Sequence, residues 1–167
     1  MYYSTQLPSP LGMITLVCSE NALVALRLPG QAPFEKETKP LSPEAHPVLA
    51  QTVRWLGRYF AGEPVSANEI PLDPVGTPFQ KTVWRLLSEI PYGQPVTYGE
   101  LARKAAALLS KPRMSAQAVG QAVGANPIAI IIPCHRCLGV KGNLTGYAGG
   151  LDLKRALLDL ERIPYIP

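Results

Sequence analysis

Hydrophobic positions along the chain predict a sheet followed by helices. Runs over residues 5–7, 13–18 and 22–28 predict three strands that form a small meander. Apolar residues then recur at helical spacing over residues 48–60, which predicts a helix. The intervening residues 31–47 are polar and rich in proline, and they predict a loop. The first part of the chain is therefore expected to be α+β.

Three more helices are predicted after a linker at residues 72–76. Thr77 is followed by proline at the first helical position and glutamine at the third, which is the signature of a capping box, and an apolar stripe continues from there. A second helix is predicted over residues 97–109 and a third over residues 115–124. Two short helices with a basic connection, preceded by another helix, are typical of a helix-turn-helix.

Charge is divided unevenly between two parts that we expect to be separate domains, residues 1–75 and residues 76–167. The first holds five Lys/Arg and seven Asp/Glu and the second eleven and five, so their net charges are −2 and +6. Residues 103–113 carry four of these basic side chains and no acid. Such a stretch is often only a solvated face. Beside a candidate recognition helix, however, it favours contact with phosphates.

The candidate chemistry lies where an apolar run ends in Cys134, His135 and Arg136. Residues 128–132 are isoleucine and alanine between two prolines, and they predict a buried strand that holds Cys134 on a rigid element. A thiol in apolar surroundings is inert, whereas a thiol beside a base or a cation ionises and becomes a nucleophile. Cys134 is therefore either a small residue that closes the strand or a nucleophile, and its neighbours favour the nucleophile.

Composition and cysteine usage indicate the class of protein and its cellular compartment. The 167 residues are 47% hydrophobic, which is ample for packed cores. No segment has the length of a transmembrane helix, and residues 1–5 lack the features of a signal peptide. Three cysteines in such a chain predict reduced thiols and a cytoplasmic protein. Cys18 and Cys137 are expected to be ordinary small residues, and His46 and His135 show no metal-ligand spacing.

Five blocks of the sequence resemble the O6-alkylguanine-DNA alkyltransferases, in the order that the family shows. The most specific block is Ile-Pro-Cys-His-Arg at residues 132–136. A Pro-Cys-His-Arg tetrapeptide alone is weak evidence, but five blocks in one order with compatible spacing are strong evidence. The resemblance covers residues 76–162 and extends to the first hairpin at residues 9–16. The block at residues 132–136 continues with residues 146–150 and 157–161, and the other four blocks are residues 76–84, residues 91–94, residues 97–102, and residues 118–120 together with 124–127.

The resemblance implies both a fold and a function. The fold is α+β, with a small ribonuclease-H-like sheet-and-helix domain followed by a winged helix-turn-helix-like domain. The function is repair of DNA by direct reversal, in which the alkyl group of O6-alkylguanine, or of O4-alkylthymine, moves to Cys134. The implied partner is double-stranded DNA that contains O6-alkylguanine, bound by a monomer without a cofactor, a metal or a membrane. The damaged base must leave the duplex, and each chain is expected to act once.

The family's histidine acts on the cysteine through a water molecule and is held by a glutamate, and the resemblance places these roles on His135 and Glu161. The sequence supports this placement, because Leu153, Leu157 and Glu161 share one stripe of the C-terminal helix and a carboxylate on an apolar face requires a partner. The alternatives are a core histidine and a structural salt bridge of Glu161 with an arginine, namely Arg155, Arg162 or Arg136.

The resemblance also implies the residues that bind the base and the DNA. Tyr98 matches a tyrosine that donates to guanine N3, and Asn126 matches an asparagine that braces the turn before the active site. The loop at Tyr147 and Ala148 faces O6, where many relatives carry serine in place of Ala148. Gln117 aligns with an arginine that fills the base stack. The remaining predicted contacts are Ser115 and Arg113 on the DNA side, Arg136, and the backbone carbonyl of Cys137.

Two functions from other classes stay open at this point. A sensor of alkylated DNA that performs no repair resembles the alkyltransferase-like proteins, but those proteins lack the cysteine that Cys134 provides. A cysteine hydrolase would use the same three side chains and would turn over through an acyl-enzyme.

Overall fold

A four-stranded sheet forms the N-terminal part of the computed structural model, which describes all 167 residues. Its strands are β1 (Tyr2–Ser9), β2 (Gly12–Cys18), β3 (Leu23–Arg27) and β4 (Thr38–Pro40), in the order β3-β2-β1-β4. The first three strands pair antiparallel, which confirms the predicted meander, and β4 pairs parallel to β1. The prediction of a loop throughout residues 31–47 is wrong at β4, because three polar residues ending in proline carry no strand periodicity.

One helix, α1 (Pro47–Phe60), packs on this sheet through the apolar stripe that predicts it. His46 caps its N-terminus, since its Nδ1 accepts a hydrogen bond from the amide of Val48 at 3.1 Å. Leu49 and Tyr59 on the inner face are fully buried. Tyr59 points toward the C-terminal part of the chain, where it reaches the candidate site described below.

The C-terminal part contains α2 (Pro78–Ser88), α3 (Tyr98–Leu108), α4 (Ala116–Gly124) and α5 (Leu151–Leu160). The predicted capping box of α2 is present at Thr77, and the hydroxyls of three capping residues accept hydrogen bonds from amides in the first turns of α2, α3 and α4. The first three of these helices pack against one another. This confirms the predicted trio of helices, of which α3 and α4 form the helix-turn-helix. The three capping residues are Thr77, Thr97 and Ser115.

A second, very small sheet joins the start of α3 to the candidate site. Strand β5 (Val96–Thr97) pairs parallel with β6 (Cys137–Leu138), so Tyr98 begins α3 directly beside the backbone that follows Arg136. One-turn 3₁₀ helices lie at Cys134–Arg136 and Val140–Gly142. The pairing fixes the distance between the first residue of the helix-turn-helix and the reactive segment.

The N-terminal sheet also supports the segment that precedes Cys134. The edge strand β3 hydrogen-bonds to that segment, because the amide of Leu26 donates to Pro127 at 3.0 Å and the amide of Ala129 donates back to Leu26 at 3.3 Å. Arg27 Nη1 donates to the same Pro127 carbonyl at 2.7 Å. A single hydrophobic cluster of 34 buried residues runs through both parts of the chain. No helix combines the length and the apolar character that crossing a membrane requires.

Candidate active site

Cys134 stands at the end of a buried arch, and the prediction of a regular strand at residues 128–132 is wrong. Only Ile128 makes a bridge to β3. The chain then turns, since the amide of Ile132 donates back to the carbonyl of Ile128 at 3.1 Å and Ile130 has a φ of +70°. This left-handed conformation is rare for a β-branched residue and marks a strained backbone next to the thiol. Strand periodicity cannot reveal such a turn because every residue in the arch is buried and apolar.

Asn126 holds the two ends of this arch together. Its Oδ1 accepts from the amide of Ile128 at 3.0 Å, and its Nδ2 donates to the carbonyl of Ile132 at 2.8 Å. The same Nδ2 lies 3.1 Å from Cys134 Sγ. Asn126 therefore braces the turn, as its position in the sequence predicts, and also offers a donor to the sulfur.

His135 and Glu161 meet inside the protein. Nε2 of His135 lies 2.5 Å from Glu161 Oε2, and neither side chain is exposed. Cys134 and His135 belong to one 3₁₀ turn, so the opposed side chains of an extended strand do not separate them. When His135 is neutral, the carboxylate at Nε2 keeps the proton there, and Nδ1, which contacts no protein donor or acceptor, carries the lone pair. The pair thus presents a base.

Four hydrogen-bond donors surround the carboxylate of Glu161. Oε1 accepts from Arg136 Nε at 2.7 Å and from the amide of Gly93 at 3.0 Å, while Oε2 accepts from His135 and from the hydroxyl of Tyr59. Burial opposes ionisation of Glu161, but the hydrogen bonds and charges of His135 and Arg136 outweigh it and lower its pKa to about 2. Glu161 is therefore an anion at neutral pH. Its predicted place on the buried side of the C-terminal helix is confirmed.

Arg136, which is predicted to contact substrate or DNA, lies inside the protein in this structure. Its guanidinium is buried, because Nε binds Glu161 and Nη1 donates to the carbonyl of Ile90 at 2.6 Å. The structural salt bridge considered for Glu161 does form, with Arg136. It forms together with the His135 contact, since Arg136 binds one oxygen of the carboxylate, Oε1, and His135 binds the other, Oε2.

The thiol of Cys134 is protonated at rest. Burial raises its pKa, and the Asn126 donor and the positive charge of Lys154 offset only part of that rise. Burial likewise lowers the pKa of His135 despite the neighbouring Glu161 carboxylate. The resting pair is therefore a neutral thiol beside a neutral imidazole, and reaction requires transfer of the thiol proton to a base.

A cavity of about 300 Å³ opens onto Cys134. Four predicted residues line it, and Gly120, Val123 and Gly124 of α4 line it as well. Its volume is at the lower end of the range for small-molecule sites, which suits one flat ring system. Small residues of α4 keep the entrance open on the helix-turn-helix side. The four predicted residues in the wall are Tyr98, Cys134, Tyr147 and Ala148.

Cys137 is not among the residues that line this cavity, and its predicted backbone contact with substrate stays a prediction. It is fully buried in β6, and its carbonyl accepts from Lys154 Nζ at 2.7 Å. Its backbone pairs with Val96 of β5 there.

The hydroxyl of Tyr98 is available as a hydrogen-bond donor in the cavity. Its hydroxyl oxygen accepts from Thr145 Oγ1 at 3.3 Å, so its own hydrogen remains available to a ligand. Burial raises its pKa to about 12, which keeps the phenol neutral and a donor. The Tyr147 hydroxyl is also buried and makes no hydrogen bond with the protein. Ala148 is exposed at the rim and brings only its backbone N–H.

The three predicted DNA contacts on the helix-turn-helix are exposed. Gln117 lies in the first turn of α4, and Arg113 lies in the connection from α3. The hydroxyl of Ser115 caps α4 by accepting from the amide of Ala118 at 2.9 Å. Ser115 and Gln117 lie at the start of α4, the helix whose Gly120 and Gly124 line the cavity.

Comparison with known proteins identifies the family. Residues 1–74 match the family model described as "6-O-methylguanine DNA methyltransferase, ribonuclease-like domain", and residues 78–163 match the one described as "6-O-methylguanine DNA methyltransferase, DNA binding domain". The chain belongs to the 6-O-methylguanine DNA methyltransferase family. This confirms the family and the α+β fold that the sequence predicts.

Individual relatives of this methyltransferase-family chain match along nearly its whole length. It is 44% identical to the Methylated-DNA--protein-cysteine methyltransferase of Haemophilus influenzae, over 98% of this chain and 88% of that one. The protein of the same name from Methanosarcina acetivorans is also 44% identical, over 96% of this chain and 98% of the relative. The crystal structure of Mycobacterium tuberculosis OGT in complex with DNA has a TM-score of 0.83 and 41% identity, and covers 97% of this chain and 95% of that one.

Two buried polar side chains of this family member are missed by the sequence reasoning. Lys154 is fully buried and donates from Nζ to the carbonyls of Cys137 and Thr145, at 2.7 and 3.2 Å, so it ties the loop beside Tyr147 to β6. Its spacing could have revealed it, because Lys154 precedes Leu157 by three residues and Glu161 by seven. Tyr59 gives no such signal, since an aromatic residue on an apolar stripe predicts core packing. No three His, Cys, Asp or Glu side chains are grouped so that they could hold a metal ion.

Proposed function

We propose that this chain repairs O6-alkylguanine in DNA by transferring the alkyl group to Cys134, once per molecule. The observation that carries the proposal is the thiol of Cys134 at the wall of a base-sized cavity, beside the His135–Glu161 pair and under the helix-turn-helix. The family supports it, because relatives at 41–46% identity are named methylated-DNA--protein-cysteine methyltransferases. The catalytic residues are Cys134, His135 and Glu161.

Activation of the thiol follows from the arrangement of the pair. Glu161 fixes the proton of His135 on Nε2, so that Nδ1 is the basic nitrogen. We place a water molecule between Nδ1 and Cys134 Sγ, through which the thiol proton passes to the imidazole. The resulting imidazolium is stabilised by the Glu161 anion, and the thiolate by the Asn126 donor and the Lys154 charge.

The transfer itself is a displacement at an alkyl carbon. A bond forms between Sγ and that carbon as the bond from the carbon to O6 breaks, and the electron pair goes to guanine. The departing guanine anion takes up one proton, which balances the proton that the thiol of Cys134 gave to His135. Tyr98 donates a hydrogen bond to N3 as negative charge develops there, and the backbone at Tyr147 and Ala148 faces O6. The same displacement applies to O4-alkylthymine, which presents an equivalent carbon.

The product explains why each molecule acts once. A thioether on Cys134 contains no carbonyl or ester for water to attack, and the base of the site has no leaving group to activate. The alkylated residue therefore stays alkylated. The three thiols are all free, which agrees with our proposal that the protein works in the reducing cytoplasm.

Access to the cavity requires that the damaged base leave the duplex. O6 lies in the major groove of a stacked base, whereas Cys134 is buried in the wall of a cavity that α4 helps to line. Extrusion costs a few kcal/mol and less for a mispaired base, which favours damaged positions. DNA as the partner agrees with the crystal structure of Mycobacterium tuberculosis OGT, which was solved in complex with DNA.

Intact mass spectrometry tests this function. The protein is mixed with a duplex that contains O6-methylguanine, and the intact mass of the protein is then measured. Repair predicts a stable gain of one methyl group on at most one site per chain. A DNA-damage sensor predicts binding with no gain in mass, and a cysteine hydrolase predicts no stable gain with product that accumulates beyond one equivalent; either result would exclude the proposal.

Arg113 is expected to contact phosphate. Replacement by alanine should weaken binding to all duplexes alike and lower the slope of log K against log salt concentration by about one unit, because one fewer counterion is released. Fluorescence anisotropy at several salt concentrations measures this slope. The matched control is Lys39→Ala, which removes an exposed lysine on β4 and should leave the slope unchanged. A loss confined to particular sequences would show that Arg113 reads bases.

Gln117 is expected to fill the gap that the extruded base leaves. Its side chain lacks the charge and the planar fork of the arginine found in relatives, so Gln117→Arg should tighten binding to alkylated duplex and raise the transfer rate on duplex more than on single strands. Single-turnover rates on both substrates measure the effect. Gln121→Arg adds the same side chain one turn later on α4 and is the control. Equal effects of the two variants, or equal effects on both substrates, would exclude Gln117 from the stack.

A further inference from the structure

Tyr59 brings the N-terminal part of the chain into the active site. It lies in the last turn of α1, and its side chain is fully buried. Its hydroxyl donates to Glu161 Oε2 at 2.6 Å and lies 3.4 Å from His135 Nε2. The other donors to the carboxylate, on His135, Arg136 and Gly93, all belong to residues 78–163, which match the DNA-binding family model. Tyr59 is therefore the one hydrogen-bond donor to the Glu161 carboxylate that comes from the N-terminal part of the chain.

The ring of Tyr59 is held in a fixed orientation. Trp55 stacks on it with centroids 5.5 Å apart and an angle of 5° between the planes. Phe60 and Tyr92 contact it edge-on, at 5.3 and 5.8 Å. Phenylalanine would fill the same space without the cost of burying a hydroxyl, so the hydroxyl has a role that packing does not explain. Its only partners are the two groups that activate the thiol.

We propose that Tyr59 is a positioning residue for alkyl transfer, whose hydroxyl holds the Glu161 carboxylate against His135. The proposal rests on the function proposed above for Cys134. Donation to Oε2 decreases the proton affinity of the carboxylate, so the proton between Glu161 and His135 stays on Nε2 and Nδ1 remains free to accept the thiol proton. Without the hydroxyl, Oε2 becomes a stronger acceptor and stabilises the imidazolium form before the thiol has ionised.

The sign of the pH effect follows from the groups that face His135. Burial lowers the pKa of His135, as do the charges of Arg136 and Lys154, whereas Glu161 raises it. Cys134 is a neutral thiol at rest and adds no charge. Replacing Tyr59 by phenylalanine changes none of these charges and only strengthens Glu161 as an acceptor. The pKa of His135 should therefore rise, and the neutral base should be lost at a higher pH than in the unmodified protein.

An NMR titration of Tyr59→Phe tests this directly. The chain has two histidines, so labelled histidine gives one signal set from the site and one from His46 as an internal reference. We expect the pKa of His135 to rise by about one pH unit in the variant while the His46 signals stay unchanged. The acid limb of the single-turnover rate should move by the same amount, so that transfer at mildly acidic pH falls about tenfold and recovers at alkaline pH.

Tyr92→Phe is the matched control. It removes a hydroxyl from the same aromatic cluster, but that hydroxyl donates to the carbonyl of Leu160 at 3.5 Å and not to the carboxylate. It should change neither the His135 titration nor the acid limb. A folded Tyr59→Phe protein with an unchanged titration and rate profile would overturn the proposal and leave Tyr59 as a packing residue.

A measurement on the unmodified protein covers the case in which Tyr59→Phe does not fold. The Tyr59 hydroxyl proton should be protected from exchange and should show a nuclear Overhauser effect to the His135 Nε2 proton, because the two heavy atoms lie 3.4 Å apart. Absence of that contact would overturn the proposal. Failure of the unmodified protein to gain a methyl group, with the contact present, would instead contradict only the function proposed for Cys134.

Discussion

Cys134→Ser is expected to abolish alkyl transfer and to leave DNA binding intact. A serine hydroxyl is far harder to ionise than a thiol, so the single-turnover rate should fall by about 10⁴-fold or more, as it does when the nucleophile of a coupled set is removed. Binding should be unchanged because we propose that the exposed residues of α3, α4 and their connection contact the DNA, whereas Cys134 is buried. Transfer is measured with an isotope-labelled methyl group and binding by fluorescence anisotropy.

The control for this variant is Cys137→Ser. Cys137 is three residues away and equally a buried, free thiol, but it does not line the cavity. Transfer by Cys137→Ser should continue at a rate near that of the unmodified protein. Retained transfer in Cys134→Ser together with loss in Cys137→Ser would show that the acceptor has been assigned to the wrong cysteine.

Glu161→Gln is expected to have the second largest effect, on both rate and stability. The amide cannot fix the proton of His135 on Nε2 as an anion does, and it does not stabilise the imidazolium, so transfer should slow by roughly 10²-fold or more. It also leaves the buried guanidinium of Arg136 without an anionic partner, which typically costs about 3 to 5 kcal/mol of unfolding free energy. Single-turnover kinetics and urea denaturation measure the two effects. Asp159→Asn, an exposed acid two residues away, should change neither.

The dependence of stability on pH shows how much the charge of Glu161, as distinct from its packing, contributes to the stability of the fold. Its pKa in the folded protein is about 2, below the ordinary value of 4.5, so the folded state binds the proton more weakly than the unfolded state. The stability that this provides is present above about pH 4.5 and is lost as pH falls toward 2. Glu161→Gln should lack that part of the acid dependence. An unchanged acid profile in the variant would show that the charge of Glu161 does not stabilise the fold.

Capping residues and apolar stripes make the helices of this chain predictable from sequence. Thr77, Thr97 and Ser115 cap α2, α3 and α4 through their own side chains, and the signals are local. Glu161 is predictable for a similar reason, since its helix phase places it on the buried side. The resemblance of residues 132–136 to the family identifies the reactive segment, because the order of five blocks is specific even where the local structure is not.

The features that could not be predicted from the sequence depend on contacts between segments that are distant in sequence. The arch before Cys134 is held by β3 and by Asn126, so its turn at Ile130 leaves no trace in a uniformly apolar run. Arg136 follows the reactive cysteine and is charged, yet the fold turns it inward to Glu161. Tyr59 lies 76 residues from His135, and only the packing of α1 against the C-terminal part brings them together.

The site of methylation tests the central claim most directly, and the sequence makes the measurement simple. Trypsin cleaves after Arg27, Arg113, Arg136 and Lys141, so the three cysteines fall into three different peptides, residues 1–27, 114–136 and 137–141. After reaction with a duplex that contains O6-methylguanine, tandem mass spectrometry should find one methyl group on Cys134 in the peptide 114–136 and none on the other two cysteines. A methyl group on Cys137 or Cys18, or no methylated peptide after complete loss of the methyl group from the DNA, would contradict the account.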